Sequence, residues 1–129
     1  MKSFKTLSVL ILGLSSISKA DVIKCNFTEP FINTTYSMAQ QTLKIESAGE
    51  PTRTIKNVSF QIKGPGLFEL QDKNKKVLQS LTLNNNGSDG MSDKVYPFEV
   101  TFAELKNMAN SGLGGCESNF LKGTEQPEK

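Results

Sequence analysis

The chain has 129 residues, with 15 basic and 13 acidic side chains, two cysteines, and neither histidine nor tryptophan. That length suits a single domain behind a leader segment. With no histidine the commonest general base and metal ligand is missing, and two cysteines 91 positions apart match no zinc spacing. No metal and no cofactor is expected.

Lys2 and Lys5 open the chain, an apolar-rich run covers residues 7–14, and Ser18-Lys19-Ala20 supplies small residues at the third and first positions before a cut. This order predicts a secretory signal peptide over 1–20. The apolar run is too short to span a bilayer, which takes ~20 apolar residues. Val22-Ile23-Lys24 precedes Cys25 with no small residue beside the thiol, against a lipid anchor. Cleavage would remove Lys2, Lys5 and Lys19, leaving 12 basic against 13 acidic residues, a net charge of −1. No basic stripe then remains for nucleic acid, and nothing points to membrane insertion after cleavage. The expected location is the bacterial periplasm or the extracellular space.

From residue 21 onward the periodicity is that of strands. Ile23, Cys25 and Phe27 alternate with Lys24 and Asn26, and Ile32, Thr34, Tyr36 and Met38 follow Pro30. Leu43 and Ile45 form a third set, and Val58, Phe60 and Ile62 a fourth. Ile55 is out of phase with the fourth, so a break is expected near Lys56-Asn57. Gly64-Pro65-Gly66 is a turn, with Phe68 and Leu70 beyond it. Residues 72–76 make a polar loop before an extended run over 77–83. Tyr96, Phe98, Val100 and Phe102 give the clearest alternation, and Pro97 places the start or edge of a strand there. Leu105, Met108 and Ala109 have helical spacing, predicting a short helical turn over 103–110. The tail, 122–129, is polar and expected to be disordered. The class is all-β, a small antiparallel barrel or sandwich of about seven to eight strands over 21–121.

An even pair of cysteines in an exported chain predicts one disulfide, Cys25 to Cys116. Closing so long a loop is worth roughly 4–5 kcal/mol in the chain-entropy account. Two buried free thiols, or pairing with another chain, are the alternatives.

Residues 84–93, N-N-N-G-S-D-G-M-S-D, are dense in side chains that bond their own backbone. Asp89 and Asp93 are oxygen donors, but no frame supplies the ligand pattern of a calcium loop. The simpler reading is a structured turn in which both aspartates hold backbone amides. Asn26, Asn33, Asn57 and Asn86 begin Asn-x-Ser/Thr sequons, glycan acceptors if the source is eukaryotic.

The segment D-G-M-S-D-K-V-Y-P-F, from Asp89 to Phe98, resembles the signature of an uncharacterised family of exported bacterial proteins and lipoproteins. That family also carries an early E-P-F-W and a late G-C; here Thr28-Glu29-Pro30-Phe31 and Gly115-Cys116 stand in the corresponding order. Ile32 replaces the tryptophan. Gly87 stands where members often have the cysteine that pairs with the G-C cysteine, which leaves Cys25 as the available partner. The resemblance implies a fold and a compartment more than a mechanism. Similar small exported barrels include lysozyme inhibitors, a likeness of fold alone.

Candidate binding residues are Glu29, Phe31, Asp89, Met91, Asp93, Lys94 and Tyr96, on the loop 84–96 and the nearby segment 28–31. The leading expectation is a non-catalytic envelope protein that binds a protein, a glycan or a small apolar ligand. A second is an inhibitor of a cell-wall-degrading enzyme. A third is a hydrolase using Glu29 and Asp93 as a carboxylate pair.

Overall fold

The computed structural model describes residues 21–28, 31–107, 112–119 and 123–125. The expected signal peptide over 1–20, together with Glu29, Pro30, Met108 and Ala109, lies outside them. The strands are β1 (Val22–Phe27), β2 (Ile32–Ser37), β3 (Thr42–Ser47), β4 (Arg53–Ile55), β5 (Ser59–Gly64), β6 (Leu67–Gln71), β7 (Val77–Gly87), β8 (Lys94–Phe102), β9 (Leu113–Ser118) and β10 (Thr124–Glu125). All pairings are antiparallel, in the order β4-β3-β2-β1-β9-β8-β7-β6-β5, and β10 pairs with the start of β8. The all-β class stands, with more strands than the alternation alone marked out. Within the polar tail, Thr124 and Glu125 are a short strand rather than disordered chain. Within the expected helical turn, the described part is one 3-10 turn, Ala103–Leu105, whose Leu105 enters the core.

Two meanders make up the sheet. β1 to β4 run consecutively on one side, β5 to β9 on the other, and the β1–β9 ladder joins them. The sheet rolls without closing: β4 and β5 are its edges, linked by residues 56–58. The expected break at Lys56-Asn57 is this link, with Asn57 at φ 62°. Val58 N–H donates to Gln41 O at 2.8 Å, and Tyr36 Oη donates to Val58 O at 2.8 Å, tying the link to the β2 end. Gln79 Nε2 of β7 donates to Thr34 Oγ1 of β2 at 3.0 Å. Three strands separate β7 from β2 in the sheet, so that buried bond requires the sheet to curl over its own interior.

The inward set is apolar: Leu43, Ile45, Leu70, Leu81 and Val100 are essentially inaccessible, and the Phe27 and Phe102 rings lie 5.5 Å apart. Ile62 departs from its expected inward role and is 71% exposed. It belongs to an edge strand, where no neighbour extends the core over it. A bulge between Ile62 and Gly64 leaves Lys63 unpaired, and an irregular, charged edge resists pairing with other chains.

Pro97 is neither at a strand start nor on an edge; β8 begins at Lys94 and lies between β7 and β9. The missing N–H is accommodated by a bulge opposite it. Leu83 pairs with Phe98 and Gly87 with Tyr96, so Asn84, Asn85 and Asn86 together face Pro97. Residues 84–87, expected as loop, are therefore the bulged end of β7.

Cys25 and Cys116 face each other in the β1–β9 register and form a disulfide. Both are buried, and Gln79 Oε1 stands 3.9 Å from the Cys25 sulfur. Replacing both cysteines by serine is expected to cost about 2–5 kcal/mol, read from chemical denaturation. Two titratable thiols in the native protein, with a melting temperature indifferent to reductant, would overturn the bridge.

Candidate functional site

Along β8, Phe98, Val100 and Phe102 point into the core, and Tyr96 does not. It is 2% exposed yet stands outside the core cluster. The irregular pairing at Pro97 carries it to the outer face, where its ring covers Gly115. A Cβ at Gly115 would lie 2.6 Å from Tyr96 Cδ1 and 2.8 Å from Ser88 N. Only glycine leaves room for the ring and the loop above it.

The loop between β7 and β8 folds back over this ring. Asp89 Oδ1 accepts the N–H groups of Met91 and Ser92, each at 2.8 Å. Asp89 Oδ2 accepts Ser92 Oγ at 2.8 Å and Tyr96 Oη at 3.1 Å. The Tyr96 oxygen in turn accepts Asn26 Nδ2 of β1 at 3.0 Å. Thr28 Oγ1 donates to the Asp89 carbonyl. Gly90, at φ +83°, brings its backbone against Thr28; a Cβ there would be 3.2 Å from Thr28 Cβ. Lys94 Nζ lies 4.9 Å from the Tyr96 ring centroid and 2.9 Å from Glu117 Oε2 of β9. The other oxygen of Glu117 accepts the Gly123 N–H at 2.7 Å, holding the approach to β10.

Asp89 is desolvated, which pushes its carboxyl up, but the Ser92 and Met91 amides and the Ser92 and Tyr96 hydroxyls outweigh that and hold it at about 2. Burial raises the Tyr96 phenol; Asn26 lowers it, and Asp89 raises it again.

The structure thus brings Asp89, Lys94 and Tyr96 together around the Tyr96 side chain, its hydroxyl on Asp89 and its ring beside Lys94, with Met91 and Asp93 exposed on the same loop. Of the two aspartates expected to hold backbone amides, Asp89 does so. Phe31 belongs elsewhere: it is 55% exposed in a cleft of about 480 Å³ with Ile32, Arg53, Glu104 and Leu105, where a single guanidinium nitrogen of Arg53 reaches both carboxylate oxygens of Glu104. Glu29 lies outside the described residues. A shallower polar hollow of about 330 Å³ runs beside the loop, lined by Asn85, Asn86, Ser88, Ser92, Asp93 and Lys94. Thr28 belongs to the expected segment 28–31 and Gly115 to the late Gly-Cys pair, whereas Asn26 and Glu117 are parts of the arrangement that were not among the candidate binding residues. The outward phase of Asn26 beside Cys25 was the available signal.

Compared with family models, with curated proteins and with solved structures, the chain matches none.

Tyr96→Phe removes one donor and one acceptor and is expected to cost about 1–2 kcal/mol, whereas Gly115→Ala, by displacing the ring, costs about 1–3 kcal/mol. Asp89 is more acidic in the fold than its ordinary 3.8. Its contribution is therefore complete above that value and is lost as pH falls toward about 2. Asp89→Asn should lower stability at neutral pH and flatten the melting-temperature profile between about pH 5 and pH 2. A variant profile parallel to the wild type would show that the carboxylate does not hold the loop.

Proposed function

We propose that the chain is an exported, non-catalytic binding protein whose recognition element is the loop between β7 and β8. The observation that supports this is the division within the loop: Asp89 bonds the hydroxyls of Ser92 and Tyr96 and the Met91 backbone N–H, while the side chain of Met91, a residue 66% exposed, takes no part in those bonds. A loop already held in one conformation loses little entropy on binding. An exposed methionine on it is an adaptable apolar anchor for a pocket on another protein. A disulfide between buried cysteines, downstream of a leader with the features of a signal peptide, supports export to the periplasm or the extracellular space. The specific form we favour is inhibition of a cell-wall-degrading enzyme such as a lysozyme, since a rigid loop with an apolar tip suits insertion into a cleft.

The test uses the chain 21–129 against lysozymes of several structural classes, scoring hydrolysis of a peptidoglycan suspension and direct binding by calorimetry. Met91→Lys should leave stability within about 0.5 kcal/mol of the wild type. The same change should weaken binding at least about tenfold, some 1.4 kcal/mol. No binding and no inhibition by the wild type would remove the inhibitor reading. Wild-type affinity in Met91→Lys would remove the loop as the recognition element.

A further inference from the structure

The cleft that holds Phe31 shares no residue with the loop between β7 and β8 or with the hollow beside it. It lies between the first meander and the 3-10 turn that follows β8, and every residue lining it is described. Ile32 and Leu105 contribute buried apolar surface, and Phe31 adds an exposed aromatic ring.

Most of the remaining lining is polar. Arg53 Nη2 donates to Glu104 Oε1 at 2.7 Å and to Glu104 Oε2 at 2.8 Å, joining edge strand β4 to the 3-10 turn. One nitrogen serves both oxygens, so Nη1 and Nε of Arg53 carry N–H groups that make no hydrogen bond among the described residues. Glu104 first, and Glu50 with it, hold the guanidinium charged. Glu50 sits on the turn between β3 and β4, where its N–H donates to Ser47 O at 3.1 Å and Gly49 has φ 78°. The lining thus combines an apolar base with donors from Arg53 and Ser47 and acceptors from Glu50 and Glu104.

Simple classes of ligand leave part of this lining unmatched. An apolar body would seal the Arg53–Glu104 pair from water and return no hydrogen bond. An anion would meet two carboxylates for one guanidinium, and an amine offers no acceptor to the free N–H groups of Arg53. A pyranose matches both halves. Its C–H face packs on an aromatic ring, and each hydroxyl on its edge both donates and accepts. A cleft of about 480 Å³ has room for such a ring and its substituents.

We propose that this cleft is a saccharide-binding site, with Phe31 as the stacking platform and Arg53, Glu104 and Ser47 as partners of the hydroxyls. The site is additional to the recognition loop, and neither reading depends on the other. The Arg53–Glu104 bond holds both side chains before a ligand arrives, so little ordering remains to be lost on binding. A ligand of about fifteen non-hydrogen atoms at ordinary efficiency binds with a millimolar Kd.

The experiment follows the amide NMR spectrum of the chain 21–129 as four probes are added, each to about 50 mM: glucose, N-acetylglucosamine and their β1,4-linked disaccharides. At least one should shift the amides of Phe31, Ser47, Arg53 and Glu104 saturably. Phe31→Ala, at an exposed position, should keep the fold and weaken that binding about fivefold. The chain has no tryptophan, so Phe31→Trp installs a single emitter whose fluorescence should change with the same saccharide. No saturable shift with any of the four, or undiminished affinity in Phe31→Ala, would overturn the proposal. So would butylammonium or butyrate shifting the same amides at lower concentration, which would assign the cleft to a charged ligand. Met91→Lys separates the two readings, since it should leave saccharide binding unchanged. Loss of saccharide binding in that variant would move the site to the loop and remove the cleft.

Discussion

The ladder between β1 and β9 is the seam on which the rest of the sheet depends. Each meander is built from neighbours in sequence, whereas this ladder joins the first strand to the ninth. Contacts so distant along the chain carry a large loop-closure cost and form late in a folding process governed by chain entropy. The Cys25–Cys116 bridge lies within that ladder, between directly opposed residues. A covalent link there removes the closure cost at the one place where the meanders are joined in the sheet path. Elsewhere the hydrophobic side chains are shared between strands that would find each other locally. The curled interior also depends on the seam, because the Gln79–Thr34 hydrogen bond connects one meander to the other across the core.

The outer-face loop fastens the same seam from the opposite side. Its backbone leaves β7, passes over Gly115 of β9 and reaches Asn26 and Thr28 at the end of β1. Asp89, Gly90, Ser92, Tyr96 and Pro97 each have a structural task in that crossing, and Gly115 is the bare place on the sheet that receives it. The segment from Asp89 to Phe98 and the Gly115-Cys116 pair are thus two halves of one device. Gly115 accommodates Tyr96 on the outer face while Cys116 makes the bridge on the inner face. At Gly87, a Cβ would collide with the Phe98 carbonyl, so the backbone at the mouth of the loop permits only glycine without rearrangement.

Much of this was legible along the chain, and the parts that were not have identifiable causes. Alternation exposed the inward set on β1, β3 and β8 because each of those strands buries one face and leaves the other wet. It failed for β9, Leu-Gly-Gly-Cys-Glu-Ser, which lies at the seam. Two glycines erase the pattern there, and they are present because both faces are closely covered: Gly114 meets the Phe27 ring, Gly115 the Tyr96 ring. The strand most constrained by its surroundings therefore carried the weakest periodic signal. Tyr96 misled for a related reason. Its spacing from Phe98 placed it inward, but the pairing around Pro97 changes the side it occupies. Asp89 as an amide holder followed from local chemistry, whereas the Asn26–Tyr96 bond that ties it to β1 spans 70 positions and leaves no trace in local order.

That separation bears on how a site can be recognised in a chain of this kind. A dense polar motif suggests chemistry, yet here its carboxylate, hydroxyls and amides are turned toward one another, and the low titration point of Asp89 is the signature of those bonds. A perturbed carboxylate in an enzyme is poised to exchange a proton near working pH; this one is driven away from it. The residues with nothing to support are the better candidates for contact with a partner, and on this loop the exposed apolar one is Met91. A conspicuous motif can mark the frame of a surface while the contact is made by a residue with weak sequence signal.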